Sequence, residues 1–186
     1  MRRVSTIILM LLLSGCAQQP VRVDTPRTEG PDKNYSVDLP LGWVKQQLGD
    51  KTMLASRDGP LLEAIYISRR TAKEAFPRIK KGAADNMLAS ELAELEIAEV
   101  KSQDTFTAAL TVLENEPALV SSRDAFRIKV SYKNTRGLEI DRVIYGFMDA
   151  SSYYSIQYLA PKLYYFDRYY PDFEKSVASF QVVVKK

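Results

Sequence analysis

The sequence predicts an α+β fold built on an antiparallel β-sheet, and three observations carry that reading. Phe126, Ile128, Val130 and Tyr132 alternate with polar residues, as a strand with one face on a core requires. Two further strand-like stretches follow, at 138–148 and 154–158, separated by the turn sequences Asn134-Thr135-Arg136-Gly137 and Asp149-Ala150-Ser151-Ser152. Three consecutive strands joined by short turns form an antiparallel meander. Outside it, residues 72–95 and 162–179 repeat apolar side chains at helical spacing.

The elements follow in chain order. Met1-Arg2-Arg3 is a short basic start, and residues 4–13 form an apolar run broken only by Ser5 and Thr6. This is a secretory signal pattern. Ten helical residues span roughly 15 Å, about half of the ~30 Å hydrocarbon core, too short for a permanent transmembrane helix. Leu13-Ser14-Gly15-Cys16 closes the run and resembles the lipobox of bacterial lipoproteins, in which the thiol accepts a diacylglyceryl group and cleavage falls just before the cysteine. Residues 1–15 are then a lipoprotein signal peptide, and Cys16 is the lipidation site, carrying acyl chains such as palmitate. One chain binds a membrane marginally at about 0.8 kcal/mol per buried CH₂, whereas two or three anchor stably. A buried structural thiol, half of an intermolecular disulfide, or a plain secretory cleavage site are the alternatives. Ala17 stands where an Asp resembles an inner-membrane retention signal in enteric-type cells, so the expected location is the cell envelope. That means the outer membrane, facing the periplasm, in a Gram-negative host, or the outer leaflet of the plasma membrane in a Gram-positive one.

Residues 16–34 read as the lipidated cysteine and a flexible tether, because 17–34 hold three prolines, one glycine and no hydrophobic period. A single domain is expected over 35–186. Tyr35-Ser36-Val37-Asp38-Leu39 alternates as a strand, Pro40-Leu41-Gly42 turns, and Trp43 is expected to plug the core. Residues 51–56 and 61–68 flank Arg57-Asp58-Gly59-Pro60 as a hairpin.

Thr71-Ala72-Lys73-Glu74 has the capping-box form, and Phe76, Ile79, Ala83 and Met87 continue at helical spacing, so the main amphipathic helix is expected over 72–95. Pro77 is expected near its start, and Gly82 weakens its middle by about 1 kcal/mol relative to Ala. Its charges would run against the helix dipole, with Lys73, Arg78, Lys80 and Lys81 early and Glu91, Glu94, Glu96 and Glu99 late. Together with Arg69 and Arg70 these cations form a candidate basic patch facing anionic headgroups or an acidic partner; a solvated face is the alternative. A strand is expected over 105–113 and a turn at Glu114-Asn115-Glu116-Pro117. Glu139 and Asp141 share one strand face at i, i+2, the spacing of a paired acid and base, although an exposed strand face has the same spacing.

Seven of the eleven tyrosines fall between Tyr153 and Tyr170. Tyr165, Tyr169, Phe173 and Val177 recur every fourth residue, which predicts a helix over 162–179, bent or restarted at Pro171, before a final strand at 180–184. The tyrosines either form the seam between helix and sheet or line an aromatic groove, with Tyr154, Tyr158, Tyr165 and Tyr169 as its candidate residues.

Composition narrows function. Once residues 1–15 are removed, 24 basic side chains face 23 acidic ones, so nothing points to nucleic acid as a partner. Cys16 is the only cysteine, which leaves the domain without a disulfide framework. Histidine is absent, which removes Ser-His-Asp and Cys-His nucleophiles and the commonest transition-metal ligand. No metal site and no cofactor is expected.

The order strand, Pro40-Leu41-Gly42-Trp43, two strands, helix, meander, aromatic helix and closing Ser179-Phe180 resembles the PsbP-like fold family. That family includes an extrinsic photosystem II subunit, a Ran-binding import factor and bacterial DcrB-like lipoproteins. The resemblance covers about residues 35–184 and implies an antiparallel sheet flanked by helices on both faces, an α/β/α sandwich. It carries over no catalytic residue and implies action through binding and assembly. The expected function is therefore a membrane-anchored envelope lipoprotein with a non-enzymatic binding domain, held to membrane lipid through Cys16 and acting on an envelope protein partner. The alternative is a carrier or sensor of a small apolar or aromatic ligand held by the tyrosine-rich region.

Overall fold

The computed structural model describes residues 19–103 and 110–183 of the 186. Cys16 and the apolar run before it lie outside the described residues, as do 105–109 of the strand expected at 105–113 and Val184 at the end of the last strand.

Eleven strands and two helices make up the described chain: β1 (Val21–Arg22), β2 (Arg27–Glu29), β3 (Tyr35–Asp38), β4 (Val44–Leu48), β5 (Thr52–Ser56), β6 (Ala64–Thr71), α1 (Ala89–Lys101), β7 (Thr111–Val120), β8 (Arg123–Lys133), β9 (Glu139–Asp149), β10 (Ser152–Pro161), α2 (Asp167–Ser179) and β11 (Gln181–Val182). Eight strands form one antiparallel sheet in the order β1-β4-β5-β6-β10-β9-β8-β7, and β11-β3-β2 form a small second sheet. The fold is α+β, with the large sheet and the meander β8-β9-β10 as the sequence predicts.

Strands β9 and β10 are buried along nearly their whole length on both faces, which requires a layer on each side. On one face Val143, Tyr145, Phe147, Tyr154, Ile156 and Tyr158 meet Tyr169, Phe173 and Val177 of α2 together with Tyr35, Val37 and Trp43. On the other, Phe126, Ile128, Ile144 and Tyr153 meet Leu92, Ala93 and Val100 of α1. Trp43 is fully buried, edge-on to Tyr169 at 5.6 Å. Gly146 lets β9 pass under this second layer, since a Cβ there would lie 2.6 Å from the Tyr153 hydroxyl.

Four expectations are corrected. Much of the tether expected at 16–34 belongs to the domain: β1 pairs with β4 and β2 with β3. Val23 is buried and donates its N–H to the Trp43 carbonyl at 2.8 Å. Arg27 ties this segment down, donating to Ser36 Oγ and Gln181 Oε1 at 2.7 Å each and to Asp38 Oδ1 and the Ser179 carbonyl at 3.1 Å each.

The helix expected over 72–95 occupies 89–101 instead. Residues 72–74 make one 3₁₀ turn, and the chain then doubles back, with Phe76 and Lys81 exchanging backbone hydrogen bonds at 3.0 Å. Pro77, the positive φ of 54° at Lys80, and Gly82 packed on Ala72 leave no room for a continuous helix. Phe76, Ile79, Ala83 and Met87 still reach the α1 layer, but as loop residues. Two charges of the true helix run with its dipole, Glu91 in the first turn, accepting from the Leu88 N–H at 2.8 Å, and Lys101 in the last, whereas Glu99 in that last turn runs against it.

The turn expected at 114–117 is part of β7, and the chain reverses at Ser121 and Ser122, both with positive φ as a tight hairpin turn requires. Pro117 is tolerated because β7 is an edge strand with β8 as its sole neighbour among the described residues. The restart expected at Pro171 comes earlier, at Asp167, after a kink at Leu163 and Tyr164, where Tyr164 has φ 75°.

Candidate functional site

Two neighbouring strands place charged and polar side chains on the α1 face where apolar ones would be expected. On β9, Arg142 sits between Ile140 and Ile144 at i±2, and on β10, Gln157 sits between Ser155 and Leu159. Register puts Arg142 opposite Leu159 and Val130, and Gln157 opposite Ile144 and Tyr66. The inward stripe of α1, Leu92-Ala93-Glu96-Glu99-Val100, lowers two carboxylates toward this row, both nearly fully buried. A cavity of about 570 Å³ opens here. Its floor is Tyr66, Ser68, Arg142, Gln157 and Leu159, and its walls come from α1, from the β8–β9 turn at 134–136, from Pro60 and Leu61, and from Arg78.

The polar groups are tied into one chain. Tyr153 donates its hydroxyl to Glu96 Oε2 at 2.9 Å, and Gln157 Nε2 donates to Glu96 Oε1 at 3.3 Å and to Ser155 Oγ at 2.5 Å. The Gln157 amide oxygen accepts from Arg142 Nη2, and Arg142 Nη1 donates to Gln103 Oε1 at 3.3 Å. Glu99 is occupied otherwise: its carboxylate accepts the backbone N–H groups of Arg78 and Ile79 at 3.0–3.1 Å, pinning the loop over the cavity rim. Arg142 is more than nine-tenths buried, and its Nε–H meets no acceptor among the described residues.

Burial dominates the electrostatics. It raises the Glu96 carboxyl above its ordinary range, opposed by the Arg142 charge and the Tyr153 hydrogen bond. Burial also lowers the Arg142 guanidinium, opposed chiefly by Glu96. The Tyr153 hydroxyl is pushed up by burial and by the adjacent carboxylate, so it stays a donor.

The candidate residues expected from sequence are distributed differently. Arg69 and Arg70 lie on opposite faces of β6, opposite Tyr154 and Tyr153 respectively. Arg70 donates to the Ala75 carbonyl at 2.9 Å and, with Arg78, lines the cavity; Lys73, Lys80 and Lys81 are exposed on the 72–83 loop. The six cations therefore do not form one patch. Of the four tyrosines expected to line a groove, Tyr154, Tyr158 and Tyr169 are buried and Tyr165 is partly buried against the same core. Tyr154 stacks on Phe147 at 5.2 Å and Tyr158 on Phe173 at 5.5 Å. Their polar tips are used internally: Tyr158 donates to the Tyr165 carbonyl at 3.0 Å and Tyr169 to Asp58 Oδ2 at 2.7 Å. This is a packed seam, so the groove reading is corrected. Glu139 and Asp141 each have their own lysine, Lys162 at 2.8 Å and Lys129 at 3.6 Å, and do not form a carboxylate pair.

Arg142, Gln157 and Glu96 were not singled out by sequence reasoning. The available signal was an arginine flanked by isoleucines at i−2 and i+2 in the middle of a strand.

Among the described residues no group of three or more Asp, Glu, Cys or His is placed to hold a metal ion, and no helix is long and apolar enough to cross a membrane. No protein-family model matches the chain, and no curated protein matches it in sequence. Solved structures do. The cyanobacterial PsbP (CyanoP) of Synechocystis superposes with a TM-score of 0.60 at 13% identity, covering 95% of this chain and 99% of that one. The Ran-binding protein Mog1p of Saccharomyces cerevisiae superposes with a TM-score of 0.60 at 11% identity, covering 89% and 96%. A Bacteroides thetaiotaomicron protein gives 0.54 at 12% identity over 87% of this chain and 50% of its own. The chain has the Mog1/PsbP-like fold.

Proposed function

We propose that this protein is a lipid-anchored cell-envelope lipoprotein whose domain acts by binding, without catalysing a reaction. The observation that carries the binding reading is the cavity beside α1. Its buried polar groups are locked to one another by Tyr153, Gln157 and Gln103, a preorganised surface of the kind that small-ligand sites present. The likeness to the Ran-binding protein Mog1p supports a binding role for this fold, with no transfer of its partner to this chain.

The anchor reading rests on Leu13-Ser14-Gly15-Cys16 after a basic start and an apolar run. Because the domain begins at Val21, the leash is shorter than the sequence implies: five residues reach at most about 18 Å, which holds the β1–β4 edge near the headgroups. The partner is an envelope component, not nucleic acid, and the site is the outer membrane facing the periplasm in a Gram-negative host. Fractionation tests the anchor: globomycin should block processing and Cys16→Ser should move the protein to the soluble fraction, whereas unchanged membrane retention of that variant refutes it. Crosslinking in intact membranes tests binding, with one reproducible adduct expected from the wild type and none from a variant with the cavity filled, such as Ser68→Trp.

A further inference from the structure

We infer that the cavity beside α1 takes a small organic carboxylate with an apolar body, its carboxylate directed to Arg142. This rests on the reading of the domain as a binding module and names its ligand class. The lining holds four arginines, Arg70, Arg78, Arg136 and Arg142, against two glutamates. One of the two, Glu99, is already saturated by backbone N–H groups, and the other, Glu96, is held by Tyr153 and Gln157. Two of the four positive charges therefore have no carboxylate of the lining to match them.

Arg142 is the focus. Two of its nitrogens bond to Gln157 and Gln103, while the Nε–H is buried without an acceptor among the described residues. A buried donor of a charged group left without an acceptor has lost its water and gained nothing in return, and an entering anion would restore that hydrogen bond. Guanidinium N–H groups match a carboxylate in plane and charge. With two Arg142 nitrogens already engaged by Gln157 and Gln103, the remaining donor capacity suits the two oxygens of a carboxylate better than the three of a phosphate monoester. The apolar surfaces of Tyr66, Tyr132, Ile140 and Leu159 then fit an aromatic or aliphatic body, and about 570 Å³ is within the range of small-ligand sites.

The test is equilibrium dialysis of the full-length protein in nanodiscs against three probes: phenylacetate, its neutral isostere 2-phenylacetamide, and phenyl phosphate. Phenylacetate is expected to bind at least about tenfold more tightly than either of the others, and Arg142→Gln to lose about tenfold or more while keeping its circular dichroism. The comparison of probes on the wild type needs no variant. Equal binding of acid and amide, tighter binding of phenyl phosphate, no binding of phenylacetate at millimolar concentration, or full binding by a folded Arg142→Gln protein would each overturn the inference. If the crosslinked envelope adduct persists when phenylacetate fails to bind, the ligand class is wrong and the binding-module reading stands.

Discussion

Gln157 joins Arg142 to Glu96 inside the protein, accepting a hydrogen bond from the guanidinium through its amide oxygen and donating one to the carboxylate through its amide nitrogen at 3.3 Å. Charge of opposite sign is thus placed on two elements, β9 and α1, with a neutral side chain on β10 between them. The arrangement keeps both charges buried while leaving the Arg142 Nε–H unengaged among the described residues.

Glu96 makes stability depend on pH. Burial raises its carboxyl above the ordinary value of about 4.5, so the native state holds its proton to higher pH than the unfolded chain does. The stabilisation is fully present below that ordinary value and is lost as pH rises through the raised one, with a slope of at most about 1.4 kcal/mol per pH unit. Urea denaturation of wild type and Glu96→Gln at several pH values should show the wild type losing stability relative to the variant as pH climbs. A constant difference would contradict the burial of a titrating Glu96.

The N-terminal segment is expected to be part of the folding unit. Arg27 makes four hydrogen bonds joining β2, β3, β11 and the end of α2, but its side chain is 45% exposed, so Arg27→Ala should cost only about 1–2 kcal/mol. Val23→Ala, at a buried position, should cost about 1–2 kcal/mol as well. The single tryptophan, fully buried Trp43, reports both by its fluorescence on unfolding. Two variants as stable as the wild type would return this segment to a free tether.

Sequence and structure agree where one physical signal dominates. Phe126-x-Ile128-x-Val130-x-Tyr132 is a strand because alternation is the only way to bury those four side chains on one face. The helix lies at 89–101 and not over 72–95 because Phe76, Ile79, Ala83 and Met87 reach the core equally well from a folded-back loop, and helical spacing alone does not separate the two. Pro117 suggested a turn because it has no N–H to give a ladder, yet an edge strand asks for none on its open side. Val23 and Thr28 are hidden in a polar, proline-punctuated stretch whose strands, two and three residues long, are too short to show alternation. The site was the least legible part. Arg142 and Gln157 look like the polar half of two alternating strands, and both faces of those strands are covered, so only the register with β6 and the placement of α1 turn them into a cavity.

Glu63 should hold the β5–β6 loop. Its Oε1 accepts from Ser56 Oγ at 3.1 Å and from the backbone N–H groups of Arg57 and Asp58 at 2.6 and 2.7 Å, in a fully buried position. Glu63→Ala leaves three donors without that acceptor and should cost about 2–3 kcal/mol, whereas Glu63→Gln keeps a carbonyl oxygen there and should cost under about 1 kcal/mol. Hydrogen exchange at the Arg57 and Asp58 amides would rise in the first variant and stay slow in the second.

Gly146 is required by its neighbours. An added Cβ meets the Phe126 ring and the Tyr153 hydroxyl, so Gly146→Ala should destabilise by about 1–3 kcal/mol through overpacking. Thermal denaturation in a Phe126→Leu background should show a smaller penalty, because the ring that collides is gone. Equal penalties in both backgrounds would place the strain elsewhere.

On the proposed reading, the row Arg142, Gln157 and Glu96 is kept for binding and not for stability. Replacing a buried charged network by apolar side chains of similar volume is often neutral or stabilising by about 1–4 kcal/mol. The direct measurement is therefore the melting temperature and phenylacetate binding of the triple variant Arg142→Met, Gln157→Leu, Glu96→Leu. A melting temperature equal to or above that of the wild type, with binding abolished, is the expected result. A loss of several kcal/mol of stability, or binding that survives the replacement, would contradict it.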